Sequence, residues 1–222
     1  WDIFVCSNPT GTTVPTATTS VTSYTATSLS PNTTYTINVR SNCGGITSSW
    51  ITLTVYTGYC TPAPSSVDAA GIINVTIPTG INNTTGAEIG NYGDYSAQTA
   101  NVFQGSSVTA AITYSTGYTY DTKIWIDFND DLDFNDVGEE VYSGTSLATI
   151  PTTLSANMNI SLTAPLGTHR LRIGGQDNAP VTPCYTGTYG TFEDYSINIQ
   201  PAPTCTLTPA IGSITGASTL NI

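Results

Sequence analysis

Asp127, Asn129, Asp131 and Asp133 occupy every second position of one short stretch, and Asp136, Glu139 and Glu140 follow closely. Side chains of these types at this spacing suit cation chemistry. Calcium takes roughly six to eight oxygens at about 2.3–2.6 Å and favours spaced Asp and Asn side chains on a tight loop. Carboxylates this close repel one another unless a cation lies among them. Asp127, Asn129, Asp131 and Asp133 are therefore the expected calcium ligands, and Glu139 is placed to close the site. The competing reading of the same residues is a solvated acidic turn that holds no metal.

The twelve-residue EF-hand spacing is met only in part. Leu132 stands where that template has glycine, Gly138 takes the twelfth position, and Glu139 comes one place late. The flanks differ too, since Ile124-Trp-Ile126 and Val141-Tyr142 read as strands, giving strand–loop–strand. A second carboxylate pair, Glu193 and Asp194, points to opposite faces of a strand. It is either a further ligand contact or a salt-bridge partner for Arg170 and Arg172, and the paired reading is preferred. His169 alternates with Leu171 and Ile173 and reads as structural. No second histidine and no G-x-S-x-G elbow accompanies it. Glu88 and Glu193 could in principle act as a glycosidase pair, but nothing in the sequence brings them together. Tyr114, Tyr118 and Tyr120, Tyr92 and Tyr95, and Tyr185 and Tyr189 form clusters that suit sugar stacking or ordinary β packing, the latter being preferred.

The elements that carry these residues are strands. Apolar residues alternate at Tyr35, Ile37 and Val39; at Ile51, Leu53 and Val55; and at Ile73, Val75 and Ile77. They do so again at Val108, Ala110, Ile112 and Tyr114; at Met158, Ile160 and Leu162; at Leu171 and Ile173; and at Tyr195, Ile197 and Ile199. Period two between polar turns predicts antiparallel strands and no amphipathic helix. The fold class expected is all-β, a tandem of antiparallel β-sandwiches. Only 9% of the 222 residues are charged, against roughly 25% in ordinary soluble domains. Thr, Ser and Asn suit the solvent faces of strands instead.

A net charge of −11 repels nucleic acid and anionic lipid. No apolar run approaches the ~20 residues of a membrane-spanning helix. Five cysteines without a Cys-x-x-Cys pair favour structural disulfides in an oxidising compartment, so a secreted, extracellular or cell-surface location is expected. Cys60 and Cys184 would staple the start of the central region to its end. Cys6 and Cys43 are the other expected pair, with a strand-A cysteine outside the sequence as a rival partner for Cys43. Cys205 is left over.

Linker-like Thr57–Pro64 and Gln200–Thr204 divide the chain into 1–58, 59–200 and 201–222. In the first part, Leu29-Ser-Pro-Asn-Thr-Thr-Tyr35 resembles the L-x-P-x-T-x-Y signature of fibronectin type III domains. That resemblance implies a partial domain, strands C to G, with the Tyr35 hydroxyl tied back to the preceding turn. In the second part, three stretches occur in order: Lys123–Val141, Gly167-Thr-His-Arg-Leu-Arg-Ile173, and Gly190-Thr-Phe-Glu-Asp-Tyr195. Together they resemble the GEVED domain, whose namesake motif is Gly-Glu-Val-Glu-Asp-Tyr; Thr191 replaces its first glutamate. The resemblance implies a jelly-roll-like sandwich over 59–200 and an extracellular, non-catalytic accessory module, often exported by type IX secretion. Residues 201–222 read as the first strands of a further sandwich, with Ile211, Ile214 and Ser218–Ile222 suiting strands A and B.

The function expected is therefore a non-enzymatic module of a large secreted adhesin or filament protein, rigidified by calcium and disulfides. The alternative is an accessory carbohydrate- or protein-binding region of a secreted hydrolase. The expected partners are neighbouring domains or copies met end to end, and surface glycans or proteins. Residues 201–222 of one copy and 1–58 of the next would complete one sandwich, either along a continuous repeat or by strand donation between subunits.

Overall fold

The structure is a computed structural model, and it describes residues 1–7, 16–27, 29–30, 33–177 and 181–204. The expected strands within 205–222, and Cys205, lie outside the described residues. The fold is all-β; its one helical turn among the described residues is a short 3-10 segment, Ile89–Asn91.

The head of the chain contributes β1 (Asp2–Cys6), β2 (Ala17–Thr18), β3 (Thr34–Arg40), the small hairpin β4 (Asn42–Cys43) and β5 (Ile46–Thr47), and β6 (Ile51–Tyr56). They form an antiparallel sheet in the order β2-β1-β3-β6, with β4–β5 as a separate pair. The Tyr35 hydroxyl accepts the Ser30 N–H at 2.8 Å, tying the start of β3 to the turn before it, as expected.

Cys6 and Cys43 are free, which corrects the pairing expected between them. The register supplies the reason. Cys6 lies opposite Thr36, whereas Cys43 lies beyond Arg40 at the other end of β3, opposite Asp2. At about 3.3 Å per residue, the intervening stretch of β3 is far too long for a bridge that needs Cα atoms within ~7 Å.

The central region contributes β7 (Gly71–Ile77), β8 (Ile81–Thr84), β9 (Tyr92–Phe103), β10 (Ser107–Ser115), β11 (Asp121–Ile126), β12 (Glu140–Thr145), β13 (Thr152–Asn159), β14 (Gly167–Gln176) and β15 (Gly190–Gln200). Two sheets, β13-β10-β7-β8 and β12-β11-β14-β15-β9, face each other. Val75, Ile77, Ala110, Ile112, Met158, Leu171, Ile173, Tyr195 and Ile197 are among the side chains buried between them. On β10 and β13 the opposite faces carry Ser, Thr and Asn; Thr113 and Thr153, for example, share a hydroxyl contact of 2.9 Å. Short polar side chains thus do on these strands what charged residues do elsewhere.

Three details depart from simple alternation. A register shift between β7 and β10 leaves Ile73 without an opposite residue and turns Ile72 into the core in its place. β13 stops at Asn159, so Leu162 is exposed rather than continuing the row of Met158 and Ile160. β9 runs parallel to β15, the one parallel pairing between the named strands.

The outer face of the five-stranded sheet is also covered. Trp125, Phe134, Val181 and Phe192 form a second apolar cluster, joined by Tyr59, Tyr92 and Tyr185. The Cys60–Cys184 disulfide, expected from the sequence, fastens this cover, with a Cα–Cα distance of 5.7 Å across 124 positions. In a chain-entropy picture, closing so long a loop stabilises the fold by about 4–5 kcal/mol.

Candidate functional site

The acidic stretch connects two neighbouring antiparallel strands, β11 and β12. Its base is buried. Asp127 Oδ2 accepts the Tyr59 hydroxyl at 2.7 Å and the Leu132 N–H at 3.0 Å, and Oδ1 accepts the Asp131 N–H at 3.3 Å. Glu139, also buried, accepts the Phe128 N–H on Oε1 and the Asp136 N–H on Oε2, both at 3.2 Å. Above them runs a ladder of Asx turns. Asn129 Oδ1 takes the Asp131 N–H at 3.1 Å, Asp131 Oδ1 the Asp133 N–H at 3.2 Å, and Asp133 Oδ1 the Asn135 N–H at 2.7 Å. The two-residue spacing read from the sequence is the spacing at which an Asx side chain reaches the backbone two residues on. Leu132, in the place of the template glycine, has φ of 76°. The loop keeps a glycine-like left-handed turn there although leucine pays a steric cost for it.

One loop thus brings together Asp127, Asn129, Asp131, Asp133 and Glu139, with Asp127 and Glu139 at its base and Asn129 and Asp131 exposed at its rim. Their carboxylates are turned toward backbone N–H groups. Among the described residues no three His, Cys, Asp or Glu side chains converge closely enough to hold a metal ion. Burial pushes the Glu139 carboxyl up to about 6, and the Asp127 and Asp136 charges push it the same way against two backbone hydrogen bonds.

The chain's cations are engaged elsewhere. It has four Lys and Arg residues. Arg40 pairs with Asp2 at 2.8 Å, Lys123 with Glu140 at 2.8 Å, Arg170 with Asp94 and Asp194 at 3.4 and 3.3 Å, and Arg172 with Asp194 at 2.6 Å. None of these pairs involves the six carboxylates between 127 and 139. His169 reaches Asp130 at 3.1 Å through Nδ1 and the Pro165 carbonyl at 3.2 Å through Nε2, a buried and structural placement.

The second motif divides its two carboxylates between the faces of β15. Asp194 faces outward under the disulfide. Arg172 meets it with two hydrogen bonds, Nε to Oδ1 at 2.6 Å and Nη2 to Oδ2 at 2.8 Å. Arg172 Nη1 continues to the Pro183 carbonyl at 2.8 Å and to Cys60 Sγ at 3.3 Å, and its guanidinium lies 4.8 Å from the Phe134 ring centre. The salt-bridge reading holds for Asp194. It does not hold for Glu193, which faces the core and has no cation. Glu193 instead accepts the Tyr195 hydroxyl at 2.7 Å and the Thr85 hydroxyl at 3.0 Å. Burial pushes its carboxyl up to about 7, these hydrogen bonds oppose that, and the Glu88 charge adds to it. Glu88 accepts the hydroxyl of Tyr95, which stacks on Tyr195 with ring centres 5.7 Å apart. The fold therefore does bring Glu88 and Glu193 into one polar cluster, a placement not legible from the sequence. Glu193 is fully buried there, out of reach of a sugar at the surface. Gly190 begins the motif where a Cβ would lie 3.1 Å from Pro64 Cγ, so glycine suits the close approach of the cover.

Residues 121–198 match the GEVED domain. The matched stretch starts with β11, contains the whole acidic loop and ends in β15 at Asn198. No curated protein matches the chain. The domain's core extends beyond the match, because β7, β8 and β10 lie in the facing sheet and are earlier in sequence. Tyr59 and Phe134, which stack at 5.2 Å and link the loop to the disulfide region, were not singled out from the sequence. The only signal for Tyr59 was its position next to Cys60. Tyr114, Tyr120 and Tyr195 are buried in the core, in keeping with the packing reading of the tyrosines.

Proposed function

We propose that this chain is a non-catalytic module of a secreted cell-surface adhesin or filament protein, stiffened by calcium at 127–139 and by the Cys60–Cys184 disulfide. The GEVED match supports an extracellular, non-catalytic module. The observation that carries the calcium part is electrostatic: six carboxylates lie between 127 and 139, and every Lys and Arg of the chain is paired outside that loop. Asp127, Asn129, Asp131, Asp133 and Glu139 would hold the ion. Binding would turn the rim side chains out of their Asx turns and exchange backbone N–H partners for a divalent cation, which relieves their mutual repulsion. The Cys60–Cys184 disulfide supports an oxidising, extracellular setting, and the partners are neighbouring domains or copies met at the ends.

Thermal melts of the full chain with calcium and with chelator test this. A ligand held at ~100 times its Kd stabilises the native state by about 2.7 kcal/mol, so the calcium melt should lie several degrees higher. Asp131→Ala should remove most of that difference. Identical melts, with no heat of calcium binding, would refute the calcium reading. The alternative, an accessory region of a secreted hydrolase that binds glycans, draws on the exposed Tyr118 and Tyr189. A glycan array separates the two, since only the accessory reading expects sugar binding that Tyr118→Ala weakens.

A further inference from the structure

The two ends of the Cys60–Cys184 disulfide meet different surroundings. Cys184 is exposed, whereas Cys60 is half-buried. Cys60 Sγ accepts a hydrogen bond from Arg172 Nη1 at 3.3 Å, and Arg172 is itself fully buried. That guanidinium is held in place. Asp194 takes its Nε and Nη2 at 2.6 and 2.8 Å, and the Pro183 carbonyl shares Nη1 at 2.8 Å. Tyr59, the residue before Cys60, is fixed as well, by its hydroxyl on Asp127 at 2.7 Å and by its stacking on Phe134. One cysteine of the bridge therefore lies toward solvent, and the other lies against a fixed arginine donor.

We propose that Cys184 is an exchange site for low-molecular-weight thiols, with Cys60 as its built-in leaving group. Thiol–disulfide exchange is an attack by a thiolate on one sulfur, governed by access to that sulfur and by how readily the other leaves as a thiolate. Both criteria select the same direction here. The incoming thiolate bonds to Cys184 Sγ, the Cys60–Cys184 bond breaks, and its electron pair leaves on Cys60 Sγ. Arg172 Nη1 already donates to that atom, and an arginine neighbour favours the thiolate form. The opposite direction would need entry to the half-buried cysteine and would expel a thiolate away from the arginine. From the mixed disulfide, the Cys60 thiolate can return to Cys184 Sγ and expel the small thiol, so closure needs no oxidant. The cover is fastened in a second way that survives the opening. The N–H groups of Ala63, Ser65 and Ser66 donate to the carbonyls of Tyr185, Gly187 and Thr188 at 2.9 Å each. Asn91 Nδ2 adds a bond of 2.9 Å to the Pro64 carbonyl. These contacts keep Cys60 beside Cys184 when the covalent bond is broken.

The test uses the full chain, with its free thiols first blocked by iodoacetamide. The folded protein is treated briefly with 2-mercaptoethanol, quenched in acid, capped with N-ethylmaleimide and mapped by mass spectrometry. Mercaptoethanol should be found on Cys184 at least ~10-fold more often than on Cys60, and the maleimide on Cys60. The same treatment in urea should divide the adduct about evenly, because the bias comes from the fold. Adduct returned to neutral pH without maleimide should re-form the Cys60–Cys184 bridge and release mercaptoethanol. Four results would overturn the proposal. The first is an adduct found mainly on Cys60 or shared evenly in the folded protein. The second is the same bias in urea, which means that the local sequence sets it. The third is a folded protein whose bridge resists thiol concentrations that open it in urea. The fourth is an adduct that does not re-close, which means that the cover has come apart. No step of the exchange involves calcium, so the thiol mapping and the calcium melts can fail separately.

Discussion

Two acidic regions of the same sandwich handle their charge in opposite ways. Under the disulfide, Asp194 is fully buried and is met by Arg172, with Arg170 and the Tyr92 hydroxyl completing its partners. Around the Asp127–Glu139 loop there are more carboxylates and no Lys or Arg pairs with them. The loop uses backbone N–H groups instead, which needs positive-φ turns at Asp130 and Leu132. A buried carboxylate must be paired or well hydrogen-bonded. The first region meets its buried carboxylate with arginine, whereas the second meets its carboxylates with backbone N–H groups, the Tyr59 hydroxyl and the His169 ring.

The largest expected effect lies in the arginine-paired region. Arg172→Met should destabilise the fold by about 3–5 kcal/mol in denaturant unfolding, because it leaves Asp194 buried without its main partner. Lys123→Met, which breaks the solvent-exposed pair with Glu140, should cost under about 1 kcal/mol. Equal losses from the two would remove the distinction between buried and exposed pairing here. Replacing Cys60 and Cys184 together by serine should cost about 2–5 kcal/mol and should loosen Tyr59, whose hydroxyl holds Asp127. Calcium-dependent stabilisation should shrink in that double variant. Unchanged calcium dependence would show that the two regions act independently.

Glu193 gives a smaller, pH-dependent effect. Its folded carboxyl sits at about 7, above its ordinary value of 4.5. Its contribution is therefore fully present below about pH 4.5 and is lost as pH rises through 7. Relative to Glu193→Gln, the unaltered protein should lose on the order of 1–3 kcal/mol between those limits. A pH-independent difference between the two proteins would contradict the raised carboxyl. The smallest effect belongs to the loop backbone. Leu132→Gly should be neutral or stabilising by up to about 1 kcal/mol, since glycine adopts the positive φ without strain. A clear loss in the melt would mean that the leucine side chain matters more than the turn.

The acidic loop was legible because its residues are close together in sequence and a two-residue spacing has a local geometric meaning. The strands were legible for the same reason: Val108, Ala110, Ile112 and Tyr114 alternate and all are buried. The Cys60–Cys184 staple followed from position, near the start and end of one domain. The inward place of Ile72 was not legible because a bulge depends on what the neighbouring strand does, and Ile73 fits the alternation until β10 is beside it.

Sequence alone determined the all-β class, the acidic stretch and the shortage of cations, since composition and short-range periodicity fix those whatever the chain packs against. Tertiary structure decided where the few cations go. Arg172 lies 22 positions from Asp194, and Tyr59 lies 68 positions from Asp127. Only the packing of the cover on the outer face of the five-stranded sheet makes these residues neighbours. Tertiary structure also separated Glu193 from Asp194, which are adjacent in sequence, because a strand sends successive side chains to opposite faces and here those faces differ. One meets Tyr195 and Thr85 in the core, and the other meets arginine beneath the disulfide.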